Sequence, residues 1–320
     1  MRFEPAGVVH RLHKGSTIGF VEHAVGTPKH GGTLLLRVRV EAVDVAGHFD
    51  LLAQRPVSQS PDDGFDDAQY RRDREIRRDR RARPLRLGQR RHVAETHHAL
   101  DVLRMEPGAH ATVFNGQGVE ATVEIAAVEK GRIALKKISV AKSAPLACKV
   151  TLGQAIPKGK NMDLIIEKAT ELGAAAIAPL LSERTVVRFD ESEALAKRDK
   201  WQRVAVEAAK QCGQNWLPSV AKPQTPKEFF QAGEKFDLLL IASLQPDSRH
   251  LKQVLAEFGP KKPSSVLILV GPEGDFTPAE VNLAKNAGCR PVTLGPIILR
   301  SETAAIYCLS VLSHELFSAV

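Results

Sequence analysis

Cysteine is scarce in this 320-residue sequence: Cys148, Cys212, Cys289 and Cys308 are the only four, and none forms a CxxC pair. That scatter excludes a zinc ribbon and a disulfide framework, so no metal is expected and a reducing cytoplasm is the expected compartment. Aromatic residues make up 5% of the chain, too few for a sheet face on which successive bases stack. No long uncharged apolar run occurs, so no membrane span is expected. The opening residues lack the basic-then-apolar pattern of a secretory leader. Neither GxGxxG nor GxxxxGK[ST] is present, which removes the two commonest glycine-rich phosphate cradles. His10 and His13 have a ligand-like spacing but no second pair at metal-site distance, so they read as surface residues.

Positive charge is present but concentrated. The net charge is +8, and residues 71–91 alone hold eleven arginines against Asp73, Glu75 and Asp79, so the rest of the chain is neutral. Such a block is either a solvated arm or an electrostatic foot for phosphate that reads no sequence. Residues 1–80 read as a poorly ordered extension of unknown role that ends in this block. Within that stretch Thr33–Val40 has the alternating, β-branched pattern of a strand, and Ser58–Asp67 is rich in turn residues.

Beyond the arginines, two patterns follow each other. From Arg83 to Ala144 short strands alternate with turns, and Asn115-Gly116 between two apolar runs predicts a hairpin. A small β-barrel over residues 81–145 fits. From Cys148 onward strands and helices alternate, the mark of a parallel α/β sheet filling residues 146–320. The strands predicted there are 149–156, 175–181, 237–243, 266–270 and 291–294; the helices are 161–172, 192–213, 247–258, 278–287 and 303–318. Trp201, Val204, Ala205 and Ala208 recur at helical spacing as a packing stripe, and Cys212 reads as a small core residue.

Two stretches of this second half carry the most information. Val266–Val270, a continuous apolar run suited to a doubly buried strand, leads into Gly271-Pro272-Glu273-Gly274-Asp275-Phe276. Then Thr277, Pro278 and Glu280 form the signature of a capped helix start. Pro291–Leu294 leads into Gly295-Pro296-Ile297-Ile298-Leu299-Arg300-Ser301-Glu302-Thr303-Ala304. Two glycine-containing strand-to-helix loops at one sheet edge form a ligand site of the kind open α/β sheets use.

These loops resemble the GPEGGF and LGxRILRxETA motifs of the ribosomal-RNA uridine-N3 methyltransferases (RsmE), a family of the SPOUT class. Further likeness lies at Gln154–Lys160, Met162-Asp163, Glu167–Gly173, Glu183–Val187 and Glu207–Gly213, and more weakly from His97 to Met105. The resemblance covers residues 83–320. It implies a knotted parallel α/β domain behind a small PUA-like β-barrel, and a homodimer in the cytoplasm. The expected reaction is methylation of N3 of one uridine in 16S rRNA of the small subunit, with S-adenosylmethionine as the cofactor. A SPOUT enzyme with another RNA target and a non-catalytic ribosome-assembly protein are the alternatives.

On that reading Val270, Gly271, Glu273, Gly274, Leu294, Gly295, Ile298 and Leu299 hold the cofactor, the glycines by letting backbone approach it closely. Methyl transfer is an in-line displacement, so holding donor and acceptor aligned is most of the task. Arg300 is assigned to the negative charge that develops as the uracil loses its N3 proton, or to an adjacent phosphate. Glu302 either orients Arg300 and assists proton removal or simply favours the first turn of a helix capped by Ser301. His98, Arg104, Lys158 and Lys160 are the candidate RNA contacts, with Lys168 in the second basic cluster. An apolar stripe of Ile306, Leu309, Leu312 and Leu316 is expected to supply dimer surface. The sequence departs from the family pattern at Asp275, where a glycine is usual, and at Ile297 and Gln214, where arginine is usual.

Overall fold

The computed structural model describes residues 106–129, 132–259 and 261–317, with three strands at 20–24, 36–40 and 48–50. It divides into two compact units, residues 1–115 with 119–142, and residues 116–118 with 143–320. The arginine block, His98 and Arg104 lie outside the described residues.

The first unit is one six-stranded sheet. Its strands are β1 (Phe20–Ala24), β2 (Leu36–Val40), β3 (His48–Asp50), β4 (His110–Phe114), β5 (Val119–Glu129) and β6 (Arg132–Lys142), in the order β1-β2-β4-β5-β6-β3. All neighbours are antiparallel except β2 and β4. The strand expected at 33–40 is β2, so residues from the stretch before 80 take part in this sheet. The Asn-Gly hairpin joins β4 to β5: Asn115 Oδ1 accepts the Val119 N–H at 3.1 Å, and Gly116 and Gly118 take left-handed φ of 73° and 85°. Ala121, Val123 and Ile125 alternate into the core, as a half-buried strand requires.

The second unit carries β7 (Lys149–Ala155), α1 (Asn161–Glu171), β8 (Ala176–Leu180), α2 (Glu191–Cys212), β9 (Ser219–Val220), α3 (Pro226–Gln231), β10 (Leu238–Ala242), β11 (Arg249–His250), α4 (Leu251–Ala256), β12 (Ser265–Val270), α5 (Pro278–Asn286), β13 (Arg290–Thr293) and α6 (Ser301–Phe317). Its seven strands run in the order β11-β13-β10-β12-β7-β8-β9, and every pairing is parallel. Both faces are covered. Val266, Ile268 and Val270 of β12 enter one apolar core with α1, α2 and α6, while Leu267 and Leu269 enter another with Phe276, Val281 and Ala284. That is why β12 reads as an unbroken apolar run.

Several expectations are corrected here. The helix expected over 247–258 is only α4, because Arg249 and His250 pair with Val292 and Thr293 as an edge strand. β9 and α3 were not anticipated, although Thr225-Pro226 with Glu228 is a capping box like the one that starts α5. Leu309, Leu312 and Leu316 of α6 pack into the chain's own core and offer no interface surface; Ile306 is half-buried. Cys212 is exposed rather than in the core, since it ends α2 on the outer side before Gly213 turns left-handed at φ 78°. The stripe on α2 is a packing face as expected: Trp201, Ala205 and Ala208 are buried, and the Trp201 indole donates to Asp163 Oδ1 at 3.1 Å.

Candidate active site

Strand order decides where the site forms. β12 and β13 follow each other in sequence, yet β10 lies between them in the sheet. The two glycine loops therefore open on either side of the carboxyl end of β10, and the three strand ends border an open cleft. Val270, Gly271, Pro272, Glu273 and Asp275 line it from the first loop, and Thr293, Leu294, Gly295, Ile297, Ile298 and Leu299 from the second. Ala242, Ser243 and Leu244 form the wall between, and Ser301 and Ala304 of α6 close one end.

Seven of the eight residues expected to hold a cofactor are thus brought together. The exception is Gly274, which does not line the cleft. Its carbonyl accepts from the Arg184 guanidinium, and a Cβ there would meet Arg184 Cδ at 3.3 Å. A Cβ on Gly271 would meet Asp275 Oδ1 at 3.1 Å and the Phe276 nitrogen at 3.2 Å. Its smallness lets the loop wind tightly on itself. At Gly295 φ is 134°, and nothing lies within 4 Å of where a side chain would go.

The first loop is braced from four directions. The Glu273 carboxylate accepts from the Lys158 backbone N–H at 2.9 Å. Arg184 holds the Gly274 carbonyl, and the buried Glu280 accepts both from Thr277, in the capping box, and from the Glu183 N–H at 2.9 Å. Asp275 is the one non-glycine with positive φ among the described residues, at 60°. Aspartate tolerates that conformation because its short carboxylate bonds locally. Here Oδ1 accepts from the Phe276 N–H at 2.8 Å and Oδ2 from the Leu244 N–H at 3.4 Å. The departure from glycine at this position is therefore absorbed by the loop: the added negative charge is bonded to two backbone amides.

Ser301 is not a cap for the helix it starts. Its hydroxyl donates to the Gly271 carbonyl at 2.7 Å and accepts from Gln154 Nε2 at 2.9 Å, tying α6 to β12 and β7. The helix begins instead from the Arg300 carbonyl, which accepts the Ala304 N–H at 2.8 Å. Arg300 itself is exposed and does not line the cleft, although Leu299 and Ser301 on either side of it do. Glu302 is half-buried in the first turn and likewise outside the lining. Lys158 and Lys160 are exposed on the loop braced by Glu273. Lys168 does not join them, since it is paired with Glu167 at 2.7 Å and Glu171 at 2.8 Å.

Of the other two departures, Ile297 is 74% exposed at the cleft, and Gln214 accepts the Trp216 N–H at 3.2 Å. No thiolate serves the cleft. Burial, with Asp237 adding to it, pushes the Cys148 thiol up to about 11, and burial pushes Cys289 and Cys308 up to about 12. Among the described residues no cluster of His, Cys, Asp and Glu is arranged to hold a metal ion.

Residues 144–313 match the family model of an RNA methyltransferase domain, and residues 94–138 match that of an RNA methyltransferase PUA domain. Parallel sheet, edge cleft and the domain before them define the class, a SPOUT-type RNA methyltransferase fold preceded by a PUA-like domain. Within it the chain is 34% identical to the ribosomal RNA small subunit methyltransferase E of Bacillus subtilis over 226 residues, 69% of this chain and 88% of that protein. It is 35% identical to the Synechocystis protein of the same name over 223 residues, 68% of this chain and 70% of that one. A methyltransferase structure from Legionella pneumophila in complex with S-adenosylmethionine superposes with a TM-score of 0.63 at 36% identity, covering 69% of this chain and 89% of that one. The small subunit methyltransferase E of Neisseria gonorrhoeae, also bound to S-adenosylmethionine, gives 0.60 at 30% identity, over 68% and 88%. This chain belongs to the ribosomal RNA small subunit methyltransferase E family.

Proposed function

We propose that this protein methylates N3 of one uridine in 16S rRNA of the small ribosomal subunit, with S-adenosylmethionine as methyl donor. The observation that carries the reading is the cleft at the ends of β10, β12 and β13, in a chain whose relatives of the same fold bind that cofactor. The lining suits the ligand. Val270, Leu294, Ile298 and Leu299 offer apolar surface to a flat adenine, and Gly295 leaves open space beside backbone. Bound there, the cofactor supplies an electrophilic methyl group.

The chain's own part is to align the acceptor and to meet its charge. A uracil gains negative charge as N3 loses its proton, and the exposed Arg300 at the start of α6 is the cation assigned to it. Glu302, one residue on, orients Arg300 or accepts the proton. Lys158 and Lys160, with His98 and Arg104 in residues 81–145, are the proposed RNA contacts, leaving residues 146–320 to methyl transfer. A cytoplasmic site of action follows from an rRNA substrate. No helix among the described residues is long and apolar enough to cross a membrane.

Methylation of purified small subunits followed by nucleoside mass spectrometry tests the reading. One 3-methyluridine per subunit is expected. A methyl group on another base points to a different RNA target, and cofactor binding without transfer points to the assembly-factor alternative. We further propose a homodimer, with the exposed Ile297 and Ile298 rather than the α6 stripe as its apolar surface. Light scattering of a fully active monomer overturns that part.

A further inference from the structure

We infer that Gln154 and Ser301 are positioning residues that set the orientation of the Gly271 peptide, and with it the shape of the cofactor cleft. The inference rests on the cofactor reading above. Gln154 is fully buried and sits beside Val270 in the β7–β12 register, one residue before the first glycine loop. Ser301 is 4% exposed and lies 147 residues away in sequence. Both Gly271 and Ser301 line the cleft, so the hydrogen bond between them belongs to its wall.

The polarity of this chain of bonds is forced. Gln154 Nε2 uses one hydrogen on the Ala155 carbonyl at 2.8 Å and the other on Ser301 Oγ at 2.9 Å. A carbonyl only accepts, so the Ser301 hydrogen must go to Gly271. Turning the amide over would put Gln154 Oε1 against the Ala155 oxygen and draw the serine hydrogen away from Gly271. Three bonds would become one. The observed arrangement keeps all three and leaves Oε1 as the buried side-chain polar atom without a hydrogen-bond partner among the described residues. An unbonded buried oxygen is unfavourable. It is offset by two satisfied backbone carbonyls and a serine hydrogen with one direction open to it. The Gly271 carbonyl is thereby held by Ser301, while Asp275 braces the same loop through Phe276.

The test is calorimetric titration of the full chain with S-adenosylmethionine, together with steady-state methylation of small subunits. Ser301→Ala removes the donor to Gly271 and is expected to weaken cofactor binding about tenfold, the scale of one lost hydrogen bond. KM for the cofactor rises with it, and kcat changes little. Ser301→Thr keeps the hydroxyl and restores binding. Gln154→Met weakens binding in the wild-type background but adds no further loss of affinity in Ser301→Ala, because Gln154 acts through Ser301. Thermal melts confirm that each variant is folded. Unchanged affinity in a folded Ser301→Ala, failure of threonine to rescue, or additive losses in the double variant each overturn the inference. Absence of binding by the wild-type chain overturns the cofactor reading itself, and this inference with it.

Discussion

The two loops that face each other across the cleft are built in opposite ways. The loop after β12 is held by the side chains of Glu273, Asp275, Glu280, Arg184 and Ser301, each bonded to backbone of another segment or of the loop itself. In the loop after β13 the local side-chain bonds are between Thr293 Oγ1 and the backbone of Gly295, at 3.3 and 3.4 Å. Ile297 and Ile298 there are 74% and 76% exposed. One wall is therefore preorganised, and the other presents apolar surface for a ligand or a second subunit to cover.

The sharpest way to break this contrast is Gly295→Val. The backbone there has φ 134°, strained for any side chain by about 1–3 kcal/mol, and the isopropyl group would enter the cleft. Cofactor binding is expected to vanish in calorimetry while circular dichroism stays close to wild type and the thermal midpoint falls by several degrees, as that strain requires. Detectable binding at near-normal affinity would mean that the open wall does not touch the cofactor.

Arg300→Ala probes the same loop for chemistry. Because Arg300 is exposed and outside the cleft lining, cofactor affinity should stay within a few-fold, whereas methylation should fall by about a hundredfold or more, the scale for one electrostatic stabiliser. Loss of cofactor binding instead would move Arg300 into the pocket. Unchanged turnover would make Lys158 or Lys160 the next candidate.

The smallest effect belongs to the braced side. Thr277→Ala removes the cap of α5, where Thr277 Oγ1 accepts the Glu280 N–H at 3.3 Å, and should lower unfolding free energy by about 1 kcal/mol in denaturant titration. Cofactor affinity should not change, because Glu273, Asp275 and Ser301 still hold the loop. A parallel drop in affinity would show that the capping box, rather than those braces, sets the cleft.

What was legible and what was not divide along the same line as the two loops. The β12 run, the capping box at Thr277–Glu280 and the Asn115-Gly116 hairpin were readable because each depends on residues a few positions apart. The role of Ser301 was misread for the complementary reason. By local rules a serine at a helix start is a cap, and its true partners, Gln154 and Gly271, lie 147 and 30 residues away. At Asp275 the sequence shows only a departure from the usual glycine, because one of the two amides its carboxylate accepts from, that of Leu244, lies 31 residues away.

By itself, then, the amino-acid pattern determined that the second half is a parallel α/β sheet with glycine loops at its strand ends, since hydrophobic period and turn chemistry are local. Only the tertiary structure decided that β10 stands between β12 and β13, that Ala242–Leu244 form a third wall, and that Gly274 turns away toward Arg184. The physical reason is that parallel strands pair across long crossovers. Which strand ends become neighbours depends on how two apolar cores close on both faces of the sheet, and no short window of sequence contains that information.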